Sequence, residues 1–185
     1  MSVSLVTKRI TILFGVSFLL LTLHILDDAF VVNEAAWYGI TTAEFLLGCV
    51  LLYAIIPPFG LWLTRRERVM GYFILLLYAL QAFYGAGLNH VRHLLGDFRG
   101  SQLLPNLLRG LGIPLAETNG QGMISLFAGM LGLNNGVPPH THNMFSNVVV
   151  FLSMGVNLVL LGFLVFALWQ KFFARERILT DGTNA

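Results

Sequence analysis

Four long, largely apolar stretches constrain this chain more than any other feature. Residues 10–32, 43–63, 69–95 and 144–169 each reach or approach the roughly 20 apolar residues that a helix needs to cross about 30 Å of hydrocarbon. The composition agrees: 56% of the 185 residues are hydrophobic and 11% charged, against about a quarter charged in soluble domains. The reading is an all-α integral membrane protein, a four-transmembrane-helix bundle forming a single membrane domain over 1–185, with no length left for a second.

The charges set the expected threading. Lys8, Arg9, Arg65, Arg66, Arg68, Lys171, Arg175 and Arg177 flank one set of run ends, and Arg92, Arg99 and Arg109 the other. By the positive-inside rule both termini are cytoplasmic, and the cell (inner) membrane is the expected location. Lys8 and Arg9 before an apolar run imitate a secretory signal. No Ala-x-Ala site follows and the run continues to Val32, so a retained signal anchor is expected. Pro57-Pro58 removes helix donors, so the second helix should kink or be locally re-paired near its lower end.

Between the third and fourth runs lies a loop, 96–143, on the non-cytoplasmic side. It is too apolar for disorder and longer than structureless loops usually are. Its pieces 101–111 and 123–133 are too short to span, so short interfacial or re-entrant helices over the bundle are expected. The net charge of +2 comes without a basic patch, so nucleic acid is not an expected partner. Cys49 is the single cysteine, which excludes an internal disulfide and a Cys-rich metal motif.

The histidines fall at one end. At 1.5 Å per helical residue, His90 lies about 33 Å from Arg68, and His24 and Asp28 lie about 22 and 28 Å from Arg9. Glu44 is about 31 Å from Arg65 on the same scale, and His140 and His142 immediately precede the fourth run. His24, Asp27 and Asp28 share a helix face at i, i+3 and i+4, as do His90 and His93 at i, i+3. Carboxylates within an apolar helix cost roughly 2.5 to 3.5 kcal/mol at the bilayer centre, so the acid pair needs a cation, a proton or water.

Imidazole with carboxylate is a ligand set for zinc, iron or copper. The candidate ligands are His24, Asp27, Asp28, His90, His93, His140 and His142, with Asp27 or Glu44 as proton acceptor for water or dioxygen activated on the metal. Gln81 and Asn157 lie at similar depth nearer the midplane, suited to a mutual hydrogen bond or to a cofactor or quinone head group. The zincin pattern His-Glu-x-x-His, nucleophile elbows and phosphate loops are absent, and paired broken helices of the transporter kind are not evident.

Three functions fit. The preferred one is a metalloenzyme acting on an apolar or lipid substrate entering from the bilayer. The second is a non-catalytic subunit of a larger membrane complex, with the loop as contact surface. The third is a haem b or quinone electron-transfer module, with His24 and either His90 or His93 as axial ligands.

Overall fold

The computed structural model describes residues 3–99, 110–112, 121–130 and 137–181. Every regular element among them is helical. Four helices are long and apolar enough to cross a membrane: Leu5–Val32, Thr42–Arg65, Val69–Leu94 and Met144–Phe173. The first begins earlier than its apolar run, so Lys8 and Arg9 lie inside the helix rather than before it. The fourth helix continues to Asp181. Of the two expected loop helices, 123–133 is represented by Met123–Met130. The other, with Arg109, lies outside the described residues apart from 110–111, as do residues 131–133 and the side chains of Arg175 and Arg177.

At the cation-rich end the bundle is conventional. Val6, Ile10, Phe14 and Leu21 recur at helical spacing on the first span, and they pack against Leu75 and Tyr78 of the third and Leu160 and Leu164 of the fourth. A buried polar clamp ties the same three helices: Ser17 Oγ lies 2.9 Å from Tyr78 Oη and donates to Asn157 Oδ1 at 2.8 Å. Asn157 Nδ2 donates to the Ser153 carbonyl at 2.8 Å. The second and third spans meet backbone to backbone, since a Cβ on Gly71 would stand 2.4 Å from Thr64 N and 2.6 Å from Gly60 O. Glu67, at φ 58°, turns the chain between them, and Lys171 of the fourth span donates to its carbonyl at 3.0 Å.

Toward the histidine end three of the four spans widen into π-helix, at Asp28–Val32, Val50–Ile55 and Ala82–Leu88. In the second span the cause is legible: Pro57 and Pro58 have no N–H to give the preceding turn, whose carbonyls re-pair at wider pitch. Of the two expected outcomes, kink or local re-pairing, this widening is the re-pairing. In the third span, Gly85 and Gly87 lower helix preference locally. The first span's π turn closes at Asn33, left-handed at φ 60°, whose N–H donates to the Asp28 carbonyl.

The upper half of the second span packs on the short helix Met123–Met130, with Phe45, Cys49 and Leu126 in one apolar cluster beside Ala29 and Tyr38. Cys49 is buried and free. Between this half and the first and third spans lies a cavity of about 780 Å³.

Candidate metal centre

All five histidines form one connected cluster. Ring centroids are 5.8 Å apart for His24 and His90 and 4.1 Å for His90 and His142. They are 4.8 Å apart both for His142 with His140 and for His140 with His93. Two sets of three could each hold an ion, with ligand atoms mutually within 4.8 Å: His93, His140 and His142, and Asp27, Asp28 and His142.

Local structure explains how they meet. Asn143 is the N-cap of the fourth helix, its Oδ1 accepting from Ser146 N at 2.8 Å, the role short polar residues take at a helix start. Its amide Nδ2 donates to Asp27 Oδ1 at 3.1 Å, so one residue caps the fourth helix and orients a carboxylate from the first. The positive end of the helix dipole favours that carboxylate. The other oxygen, Asp27 Oδ2, is 3.4 Å from His142 Nδ1. On the first span, His24 Nε2 lies 3.4 Å from Asp28 Oδ2. His90 Nε2 is 2.7 Å from Asn147 Oδ1 on the first turn of the fourth helix.

The segment carrying His140 is anchored from outside the bundle. Val137 N donates to Phe98 O at 3.0 Å, and the His140 ring stands 4.6 Å from that of Trp37 and 5.4 Å from that of Phe98. His140 Nδ1 is 2.8 Å from the Pro138 carbonyl, which can only accept, so this nitrogen carries the proton and Nε2 the lone pair. Asp27 Oδ2 and Ser146 Oγ both lie 3.4 Å from His142 Nδ1; an ionised carboxylate there can only accept, which puts the proton on Nδ1 and turns the Nε2 lone pair toward His140. The two Nε2 atoms are 3.0 Å apart. Facing lone pairs at this distance repel unless a cation or proton sits at their focus. Tetrahedral zinc with bonds near 2.0–2.1 Å holds its ligand nitrogens about 3.3 Å apart, close to the spacing found.

Electrostatics keep the site in ligating form. Burial and the neighbouring His90 push His142 down to about 4, against the hydrogen bond it donates to Asp27, so its ring is neutral at pH 7, as metal binding requires. Glu34, just past the first span, is held well above the usual carboxylate range by burial and by the Asp28 charge. Burial and Glu34 in turn raise Tyr38. Two buried atoms in the cluster, His24 Nδ1 and Asp28 Oδ1, have no hydrogen-bond partner among the described residues. Such orphans cost about 1–3 kcal/mol each, and their location beside two candidate ligand sets points to a missing partner of opposite character.

The cavity opens onto this cluster. His24, Asp28, His93, Glu34 and Tyr38 lie on its wall, and its apolar part reaches Pro57 and Ile74. His93 and Ile74 are 19 residues apart on one helix, about 28 Å at 1.5 Å per residue.

Of the residues singled out from sequence, His24, Asp27, Asp28, His90, His93, His140 and His142 come together. Glu44 does not. Its carboxylate accepts from Thr41 N at 2.7 Å and from Thr41 Oγ1 at 2.8 Å at the exposed start of the second span. It is half of a capping box rather than a proton acceptor at the site. Gln81 and Asn157 do not bond each other: Gln81 lines the cavity and donates to the Met130 carbonyl, whereas Asn157 belongs to the buried clamp. Arg92 is paired with Asp97 at 2.9 Å. The residues that sequence reasoning missed are Glu34, Asn143 and Asn147. Asn143 had a signal, a short polar residue directly before the fourth apolar run. Glu34 had only its place next to the first run's end.

What fold and site define together is a four-helix bundle of membrane-crossing length, with an imidazole and carboxylate cluster at one end and an apolar cavity beneath it. No protein-family model matches the chain, and no curated protein or solved structure matches it significantly.

Proposed function

We propose that the chain is an integral membrane protein, both termini cytoplasmic, whose histidine end binds a transition metal and acts on an apolar or lipid substrate held in the cavity. The observation that carries this reading is the convergence of His93, His140 and His142, from two separate segments, with ligand nitrogens within 4.8 Å of one another. An ion there would act as Lewis acid or generate a bound hydroxide. Asp27 fixes the His142 ring from behind, as carboxylates do for metal-bound imidazoles. Glu34, whose carboxyl is held above the usual range by burial and by Asp28, replaces Glu44 as the candidate proton carrier on the cavity wall. A largely apolar cavity with polar groups at one end suits a hydrocarbon chain bearing a polar head.

The number of converging donors favours an ion over a bis-histidine haem: one haem takes two axial imidazoles, whereas His93, His140 and His142 meet as one set and Asp27, Asp28 and His142 as another.

The test is metal analysis with an optical spectrum on the full chain in detergent, after chelation and reloading with Zn²⁺. At least about one ion per chain is expected, lost on combined His140→Ala and His142→Ala substitution. A Soret band, or metal content unchanged by the double substitution, would overturn the proposal.

A further inference from the structure

His142 belongs to both candidate ligand sets, and its two nitrogens face opposite ways. Nε2 is 3.0 Å from His140 Nε2, and Nδ1 is 3.4 Å from Asp27 Oδ2. An imidazole has one lone pair in its neutral form and two once the remaining N–H proton has left. A histidine with a ligand group at each nitrogen is therefore built to join two ions through its ring.

Resting on the metal reading above, we infer that the cluster is a binuclear centre in which the His142 imidazolate bridges one ion held by His93 and His140 and a second held by Asp27 and Asp28. The first ion takes neutral nitrogen donors, and the second takes two carboxylates. That distribution also answers the problem of two adjacent buried acids: a divalent cation between them offsets their mutual repulsion and their loss of water. Asp28 Oδ1, buried and without a partner among the described residues, becomes a metal ligand. His24, whose Nε2 is 3.4 Å from Asp28 Oδ2, holds that carboxylate from the side and lies outside the ligand set. His90 is held by Asn147, and its ring packs at a 43° tilt against that of His142. It fixes the plane of the bridging ring and does not ligate.

The bond changes balance simply. Binding the first ion uses the free lone pair at His142 Nε2 and releases no proton from that ring. Binding the second breaks the Nδ1–H bond, forms a metal–Nδ1 bond and sends one proton to the buffer. The Asp27 oxygen that accepted this N–H then turns to the metal.

The experiment is a Cu²⁺ titration of the metal-stripped full-length chain in detergent, read by metal content and by electron paramagnetic resonance. Two Cu²⁺ ions joined through one imidazolate couple antiferromagnetically. The expected result is about two ions per chain, with a resonance that grows to the first equivalent and falls on the second. Asp28→Asn should stop at the first equivalent with the uncoupled signal intact, and His142→Gln should abolish the coupling. Two ions with a full-intensity, uncoupled spectrum would overturn the bridge. Saturation at a single ion would overturn it while leaving the mononuclear reading standing. No bound copper in the unsubstituted chain would remove both. Should His142→Gln fail to fold, Asp28→Asn alone still separates these outcomes, because loss of the second ion and of the coupling must then occur together.

Discussion

The two ends of this bundle are built from the same four helices and differ in almost everything else. At the cation-rich end the helices keep α pitch, side chains interdigitate at i and i+4, and the spans touch at Gly60 and Gly71. At the histidine end three spans are π-widened, the second has the helix Met123–Met130 beside it, and the space is divided between a polar cluster and a cavity. The contrast shows how a small bundle makes room for chemistry. Tight packing in one half holds the helices in register, while the extra residue per π turn in the other re-aims side chains and opens a gap. Buried polar atoms follow the same division: the clamp residue Asn157 is fully satisfied, whereas the orphaned His24 Nδ1 and Asp28 Oδ1 sit at the histidine end.

Substitutions that act on one half and spare the other sharpen this comparison. The largest effect is expected from His140→Ala with His142→Ala, which should lower Zn²⁺ affinity by more than about 100-fold, beyond the range for residues that only orient a ligand. Competition against a chelator of known affinity measures it. Asn143→Ala removes the amide that orients Asp27 and the cap of the fourth helix, so about 10–100-fold weaker metal binding is expected together with about 1 kcal/mol of lost stability. If the affinity stays intact, Asp27 is not positioned through Asn143.

The complementary change is Gly71→Val, whose added Cβ meets backbone atoms of the second span that cannot move aside. A loss of about 1–3 kcal/mol is expected in reversible unfolding in detergent, with metal stoichiometry preserved. Asn157→Leu should cost about 0.6 to 1.7 kcal/mol, the range for interhelical hydrogen bonds in membranes. A metal loss in either variant would mean that the halves are not separable. The smallest effect belongs to Asp97, held well below the usual carboxylate range by its hydrogen bonds to Arg99 and Arg92. Because the folded value is depressed, the pairing contributes fully above the ordinary range and is lost only as pH falls toward the lowered value. Asp97→Asn should therefore shift the unfolding midpoint slightly at pH 7 and not at all in strong acid.

Much of the fold was legible because hydrophobic length is a local property: any segment of about 20 apolar residues declares its helix without reference to its neighbours. The shared height of the five histidines was legible too, from rise per residue alone. Glu44 was misjudged for the same reason. Height along a helix does not say which way a side chain faces or what it already holds, and Thr41, three residues earlier, engages it. The pairing of Gln81 with Asn157 failed likewise, because equal depth does not fix azimuth. The π segments were hidden, apart from the warning given by Pro57-Pro58, since a one-residue widening is a compromise between backbone pairing and side-chain packing.

By itself the sequence determined four apolar helices of membrane length, a bias of cations to one set of ends, and imidazoles and acids at the other. Those properties follow from composition and from the fixed geometry of a helix. Only the tertiary structure decided that His142 stands between Asp27 and His140, that Asn143 joins the first span to the fourth, and that a cavity opens beneath them. Each depends on how the helices are rotated against one another, and that rotation is set by contacts between residues distant in sequence, such as Ser17 with Asn157 and Asp27 with Asn143.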